Sequence, residues 1–368
     1  MQEIKKRRIV IASVLKPVND TRMFEKLGRT LARVAEVHIV GFPGKATPSD
    51  GIAFHQSGVC KRLSLQRLLQ PWKVFFLLLR LRPEDVIIST HELLWPAALY
   101  KLIAGAAVYY DLQENYWRNI VYGEAFPKPV RSLLAGYVRL KERLLHPMIK
   151  RYLVAERAYL DEMPFIRSKS VLLENRYYGQ VKPPEPGKRG RRLIFSGTLS
   201  RSTGVFAAID LARKLHEVDD AVRLAIVGHC SRQTEYQALL AQIKPYPFIF
   251  LIGGDKLVPH AEIIRHIRES DFGIIAYDLS PATENRIPTK LYEYLANGVI
   301  LMTPPHAPWV GTIRQYQEPI IFDPKNPDID LIMRCVQTSQ IHIPASYSGL
   351  LWSESEPFLL ELFPPLAR

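Results

Sequence analysis

Three cysteines in 368 residues, Cys60, Cys230 and Cys335, are too few, too scattered and odd in number for a disulfide framework. Their scarcity, with no His, Asp or Glu run at metal-ligand spacing, leaves no zinc motif and suits a reducing cytoplasm. No apolar run approaches the ~20 residues of a membrane-spanning helix. Met1–Arg8 is charged and leads into an apolar stretch of strand length, so no secretory signal is expected. No GxGxxG follows that strand, which argues against a dinucleotide dehydrogenase. A nucleophile elbow and a nucleic-acid motif are missing too.

What is present is a chain too long for one core, so two domains are expected. The formal net charge is +13. Residues 1–180 hold 29 Lys/Arg against 16 Asp/Glu, which is the whole excess, and residues 181–368 hold 20 of each. A basic first half implies an anionic partner.

Short apolar runs alternate with helical spacing. In the first half Arg8–Ser13, Val37–Phe42, Asp85–Ser89, Val108–Leu112, Tyr152–Ala155 and Val171–Leu173 read as strands. Arg22–Val34 and Leu93–Ile103 read as helices. Val181–Arg192, with three prolines, two glycines and five basic residues, reads as a linker. The alternation then restarts with strands at Leu193–Phe195, Leu224–Val227, Ile249–Ile252, Phe272–Ala276, Val299–Met302 and Ile320–Phe322. The expectation is α/β, with two doubly wound Rossmann-like domains facing a cleft. Their bounds are 1–180 and 181–345, and 346–368 is a terminal helix packing back on the first domain.

Tyr277–Pro305 is strand end, loop, helix and strand. Thr289 is the expected cap of a helix over Lys290–Asn297, with Gly298 past its end. Glu293 lies one turn inside, and Thr283, Glu284, Asn285 and Arg286 lie in the loop before it. Ligands in such sheets sit outside the carboxyl ends of strands, helix N-termini favour phosphate, and a carboxylate accepts from two hydroxyls. A nucleotide meets all three conditions. The plainer reading of Glu293 is a first-turn acid favoured by the helix dipole.

Cys60–Pro83 contains Lys61, Arg62, Arg67 and Lys73 among leucines and aromatics and no acid. Lys128–Arg157 adds eight basic residues. Basic, amphipathic and aromatic segments suit an anionic membrane surface. The plainer reading is two core-facing helices with solvated basic faces.

The run NRIPTKLYEYLANGVILMTPP (285–305), with LIFSGTLSRSTGV (193–205), LAIVGH (224–229), VYYDLQENY (108–116) and VLKPVNDTRMFEKLGRTLA (14–32), resembles the retaining glycosyltransferases of family 4, which have the GT-B fold. The resemblance implies a nucleotide-diphosphate sugar as donor, no cofactor, no obligatory metal and an acceptor held by the first domain. It implies that Glu293 holds the ribose and that Gly197 lets the backbone approach the diphosphate. His229 and Leu257 would lie near the base. The family's two basic phosphate ligands fall on Thr198 and Thr203, so Arg201, Arg286 or Lys290 substitutes. The first of the family's paired acids falls on Asn285, with Glu284 one place off, and a first-domain histidine falls on Gln113. Asp111 or Glu114 is a candidate base. Asp20, Arg22 and His91 are acceptor-side candidates. For Asp20 and Arg22 the plainer reading is a helix cap.

The expected function is sugar transfer to a lipid-linked or polysaccharide acceptor by a peripheral protein on the inner membrane face, with no nucleic acid involved. The alternatives are a nucleotide-sugar epimerase of the same fold and a non-catalytic sugar-nucleotide or nucleic-acid binding protein.

Overall fold

The computed structural model describes residues 6–44, 47–58, 64–123, 126–182, 190–281, 283–339 and 346–364. It divides into two compact units. One comprises the chain up to Tyr178 together with Trp352 onward, and the other is Gly179–Leu351.

In the first unit the strands are β1 (Arg7–Pro17), β2 (Ala35–Phe42), β3 (Ile52–Gln56), β4 (Asp85–Ile88), β5 (Ala107–Leu112), β6 (Ile149–Val154) and β7 (Ser170–Leu172). They form one parallel sheet in the order β3-β2-β1-β4-β5-β6-β7. The strand order reverses between β1 and β4. Along β1 the side chains alternate between two cores, Val10 and Ala12 in one and Ile9 and Ile11 in the other. A strand buried on both faces is apolar throughout, which is why it reads so clearly in the sequence. The helices are α1 (Arg29–Leu31), α2 (Leu65–Leu81), α3 (Leu94–Ala104), α4 (Tyr116–Tyr122), α5 (Lys128–Leu144) and α6 (Tyr159–Glu162).

The helix expected over Arg22–Val34 is wound differently. Thr21–Gly28 is π-helical, and the Arg29 N–H donates to Phe24 O five residues back. α1 adds only three residues. The wide turn carries two buried cations, Arg22 and Lys26, which donate to Leu173 and Asn175 backbone oxygens. An apolar count takes no account of such partners. β3 is an edge strand with His55 and Gln56 among its five residues, too polar to read as a strand. The tail packs into the same core. Trp352 is fully buried and donates to Thr30 Oγ1 at 3.0 Å, and the Phe363 ring lies 4.6 Å from that of Tyr109.

The second unit contains β8 (Arg192–Thr198), β9 (Arg223–His229), β10 (Ile249–Gly254), β11 (Phe272–Ile274), β12 (Ile300–Thr303) and β13 (Ile320–Ile321). Their order is β10-β9-β8-β11-β12-β13, again parallel. The order reverses between β8 and β11. Helices α7 (Val205–Val218), α8 (Gln233–Ile243), α9 (His260–Arg268), α10 (Thr289–Ala296), α11 (Ala307–Ile313) and α12 (Ile329–Thr338) complete it. Thr289 is the first residue of α10 and not its cap. Pro288, at φ −60° and ψ 134°, occupies the cap position with no side-chain bond. Gly298 follows the helix in the left-handed region, φ 70°, as expected of a residue there.

Candidate functional site

The carboxyl ends of β8, β9 and β10 form one edge of the second unit. Gly197 pairs with Gly228, and Thr198 with His229, which pairs in turn with Gly254. Gly197 has φ +99°, and Gly228 must be glycine because a Cβ there would overlap the Gly197 carbonyl.

α10 brings Lys290, Glu293 and Tyr294 to this edge by i, i+3 and i+4 spacing. Lys290 is 5% exposed, and its Nζ has no hydrogen-bond partner among the described residues. The ammonium lies 4.0 Å from the centroid of the Phe195 ring and 4.9 Å from that of Tyr277. Phe195 is on β8 and Tyr277 follows β11, so the cation sits where the strand order reverses. A Cβ on Gly197 would stand 3.9 Å from Lys290 Cε, so the glycine opens toward the lysine. Burial drives the Lys290 pKa down to about 7 against the opposing pull of Glu293. Glu293 Oε1 is 2.9 Å from Nε2 of His260, the first residue of α9. The Tyr294 hydroxyl accepts from the Ser196 N–H at 3.0 Å. β8 pairs with β11 only through Leu193 and Ile194, and Tyr294 supplies the partner that Ser196 lacks there.

Other expected donor-side residues have different surroundings. The Thr203 hydroxyl donates to Thr198 O at 2.8 Å and accepts from the Ser200 N–H at 3.0 Å, so it closes its own loop. Arg201 is exposed and lies over the Phe206 ring at 4.5 Å. Thr198, Leu257, Glu284 and Asn285 are exposed, and Arg286 is half-buried. The backbone of the 284–286 loop is held from α11. Trp309 Nε1 donates to Arg286 O at 2.6 Å, and His306, just before the helix, meets Glu284 O at 2.7 Å. His229 is half-buried, and burial lowers its pKa against the pull of Asp255.

In the first unit Asp111 is fully buried. Its carboxylate accepts from Arg22 Nε at 2.8 Å, Gln113 Nε2 at 2.7 Å and Ser89 Oγ at 3.3 Å. Three donors and no exposure make it a structural anchor in this arrangement. Arg22 and Gln113 are spent on the same group. Asp20 accepts from the Arg22 and Met23 N–H groups and caps the π-helical turn. Of the two candidate bases, Glu114 is the accessible one.

Glu114 lines a cavity of about 710 Å³ framed by α2, α3, α4 and α5. Its walls include Leu65, Leu68, Trp72, Trp95 and Tyr137. Its polar side chains are Arg67, His91, Glu92, Glu114, Asn119 and Lys141, with Ser64 at the start of α2. Arg67 pairs with Glu92 and Asn119 donates to Glu114 at 2.8 Å. Arg67, expected on the membrane side, lines the cavity. Lys141, 4% exposed, donates to His91 Nδ1 at 3.0 Å. Burial lowers Lys141 to about 8 and His91 to about 4, so the imidazole accepts this bond as the neutral ring. Lys16 lies near the same acids. Asp20, then Glu114 and Asp111, hold its pKa above the ordinary value although burial opposes them.

The helices around the cavity carry exposed apolar stripes. On α2 these are Leu65, Leu68, Leu69, Trp72 and Phe76, and on α3 Trp95, Leu99, Leu102 and Ile103. On α5 they are Val130, Leu133, Tyr137, Leu140 and Leu144. Each set follows the i, i+3/i+4 rule, so each is one helix face. Lys73, Arg80, Lys128 and Arg143 on these helices are exposed, and their only acid, Glu142, is buried. Lys61 and Arg62 lie outside the described residues. No described helix is long and apolar enough to cross a membrane.

No protein-family model matches the sequence. No curated protein matches it. Solved structures do. HepE of Anabaena, in complex with UDP-glucose, is 12% identical over 98% of this chain and 100% of its own, with a TM-score of 0.68. Sucrose-phosphate synthase of Thermosynechococcus elongatus is 12% identical over 97% and 95%, TM-score 0.65. An α,α-trehalose-phosphate synthase (UDP-forming) of Burkholderia xenovorans, in complex with glucose-6-phosphate, is 13% identical over 97% and 98%, TM-score 0.65.

The fold is GT-B.

Within this GT-B fold, sequence reasoning missed Lys16, Lys141, His260, Tyr294 and Trp309. His260 had a local signal, since it opens the helix that follows the Leu257 loop. Lys141 had none, because an i-spaced lysine on an amphipathic helix reads as solvated.

Proposed function

We propose that this protein is a glycosyltransferase that takes a hexose-like sugar from a nucleotide-diphosphate donor and passes it to a lipid-linked or polysaccharide acceptor. The observation that carries the reading is Lys290, a buried lysine with no hydrogen-bond partner among the described residues, beside a left-handed glycine at the β8/β11 reversal. An unpaired buried ammonium is costly, and a phosphate oxygen would satisfy it. α7 begins just beyond, after Gly204, with no side-chain cap. The N–H groups of a helix's first turn favour an anion as well. The similar fold of HepE, in complex with UDP-glucose and with UDP, supports the same ligand class.

In this reading Lys290 and the start of α7 stabilise the diphosphate as the anomeric C–O bond breaks and charge collects on the leaving group. Glu293, oriented by His260, accepts from the ribose hydroxyls. Thr198 and Arg201 stand by the phosphates, and Asn285 and Arg286 by the sugar. His229 and Leu257 border the base. Glu114 orients the acceptor hydroxyl, retention is the stereochemistry the family resemblance implies, and Lys290 supplies the positive charge so that no metal is needed. The exposed apolar stripes with basic residues between them support residence on an anionic inner membrane face. That stripe pattern favours the transferase over an epimerase, which needs no such surface.

The test is a thermal-shift screen against UDP, GDP, ADP, dTDP and CMP and their sugars, with and without Mg²⁺. One diphosphate that raises the melting temperature without metal, and does not do so in Lys290→Met, supports the proposal. No response to any of them overturns it.

A further inference from the structure

The first-unit cavity has a polar floor and an apolar mouth, and this order restricts what fits it. The floor is Glu114 with Asn119 and Lys141 with His91. The mouth is Leu65, Leu68, Trp72, Trp95 and Tyr137, which are 45–78% exposed and belong to the same stripes that run over α2, α3 and α5. Arg67 and Glu92 neutralise each other at the wall. Lys141 donates to a neutral imidazole and lies 5.4 Å from the centre of the Tyr137 ring, with Glu92 and Glu142 near enough to pull on its charge. Glu92 is paired with Arg67 and Glu142 with Arg139, so Lys141 can still donate to an anion, while Glu114 offers acceptor oxygens. Exposed charge on the three helices is basic alone. A wholly apolar guest would strand the floor groups, and a wholly polar one would leave the mouth open to water.

We infer that this cavity receives, head first, one anionic membrane lipid whose head also carries hydroxyls. The phosphate meets Lys141, a hydroxyl meets Glu114, and the chain remains among the exposed leucines and tryptophans. Charge complementarity selects the occupant, because the face is basic and apolar and the seat holds one donor cation and one acceptor acid. The inference rests on the transferase reading only in calling this lipid an acceptor.

Trp72 and Trp95 at the mouth report occupancy directly. Monomeric dihexanoyl phosphatidylglycerol, which has both a phosphate and hydroxyls, should change the fluorescence saturably. Dihexanoyl phosphatidylcholine, which lacks the hydroxyls and net charge, should bind at least tenfold more weakly. Lys141→Gln should weaken the phosphatidylglycerol titration about tenfold. Because Lys141 is buried, exposed Tyr137→Ala is measured beside it, with a melting curve for each, and should also weaken binding. Phe76→Ser with Leu133→Ser lies outside the cavity and should lose sedimentation with phosphatidylglycerol vesicles while keeping the monomer titration. A linear, unsaturable response, equal affinity for both lipids, or an unaltered titration in a folded Tyr137→Ala overturns the inference. Nucleotide-induced stabilisation in the same preparation is read separately. Lipid binding without nucleotide binding would sink the transferase and leave the lipid site, and the reverse would leave the transferase and sink the lipid site.

Discussion

The Lys290 ammonium stands 4.0 Å from the centre of the Phe195 ring and makes no hydrogen bond to the described residues. A ring face offers a cation partial compensation, far less than water or a carboxylate. The ammonium is therefore poorly compensated, and its titration should be visible.

The folded-state pKa of Lys290, about 7, is below the ordinary value of 10.5. Between these two values the unfolded chain binds the proton and the folded chain does not. Stability of the second unit should rise with pH across that window, by at most about 1.4 kcal/mol per unit. Lys290→Met should remove the slope. Urea denaturation from pH 6.5 to 10 measures it, and a wild-type profile identical to that of the variant would refute the assignment.

A bound diphosphate favours the charged form. Nucleotide binding at pH 8 should take up a proton, seen as a calorimetric enthalpy that depends on the buffer's ionisation heat. No buffer dependence would mean that the lysine does not meet the phosphate.

Glu293→Ala should abolish nucleotide affinity. His260→Ala should weaken it by about tenfold, since a hydrogen bond to a charged group is worth ~1.5–3 kcal/mol and the carboxylate itself remains. Equal losses in the two variants would make His260 a direct ligand. No loss in Glu293→Ala would end the ribose role.

Asp111 and Glu114 should separate cleanly. Asp111→Ala leaves Arg22 buried and unpaired, so the first unit should lose ~3–5 kcal/mol. Glu114→Gln should leave the melting temperature near wild type and lower sugar transfer. A stable, inactive Asp111→Ala would restore Asp111 as a base.

Serine at Lys73, Arg80, Lys128 and Arg143 together should release the protein from anionic vesicles, at about 1 kcal/mol for each residue. Unchanged co-sedimentation would argue against a membrane face.

Both parallel sheets were legible because strands buried on two faces are apolar without interruption, as Ile9–Ala12 and Leu224–Val227 show. The α10 region was legible because prolines, a glycine and one acid mark its limits. β3 and the π-helical turn were not. Both mix polar or charged residues with apolar ones, and the partners that justify those residues can be remote in sequence, as Asp111, 89 positions away, is for Arg22. The same distance hid Asp111's occupation and made it resemble a base.

Composition and spacing by themselves determined two α/β units, a basic first half and a helix after a strand with a carboxylate one turn inside it, since these follow from local periodicity and summed charge; the glycine at Gly197 was what the family resemblance implied. Which acid is free, which lysine is unpaired and which helix faces stay uncovered were decided by the tertiary structure. A side chain's charge is written in its own formula, but its desolvation and its partners depend on residues the chain brings together only by folding.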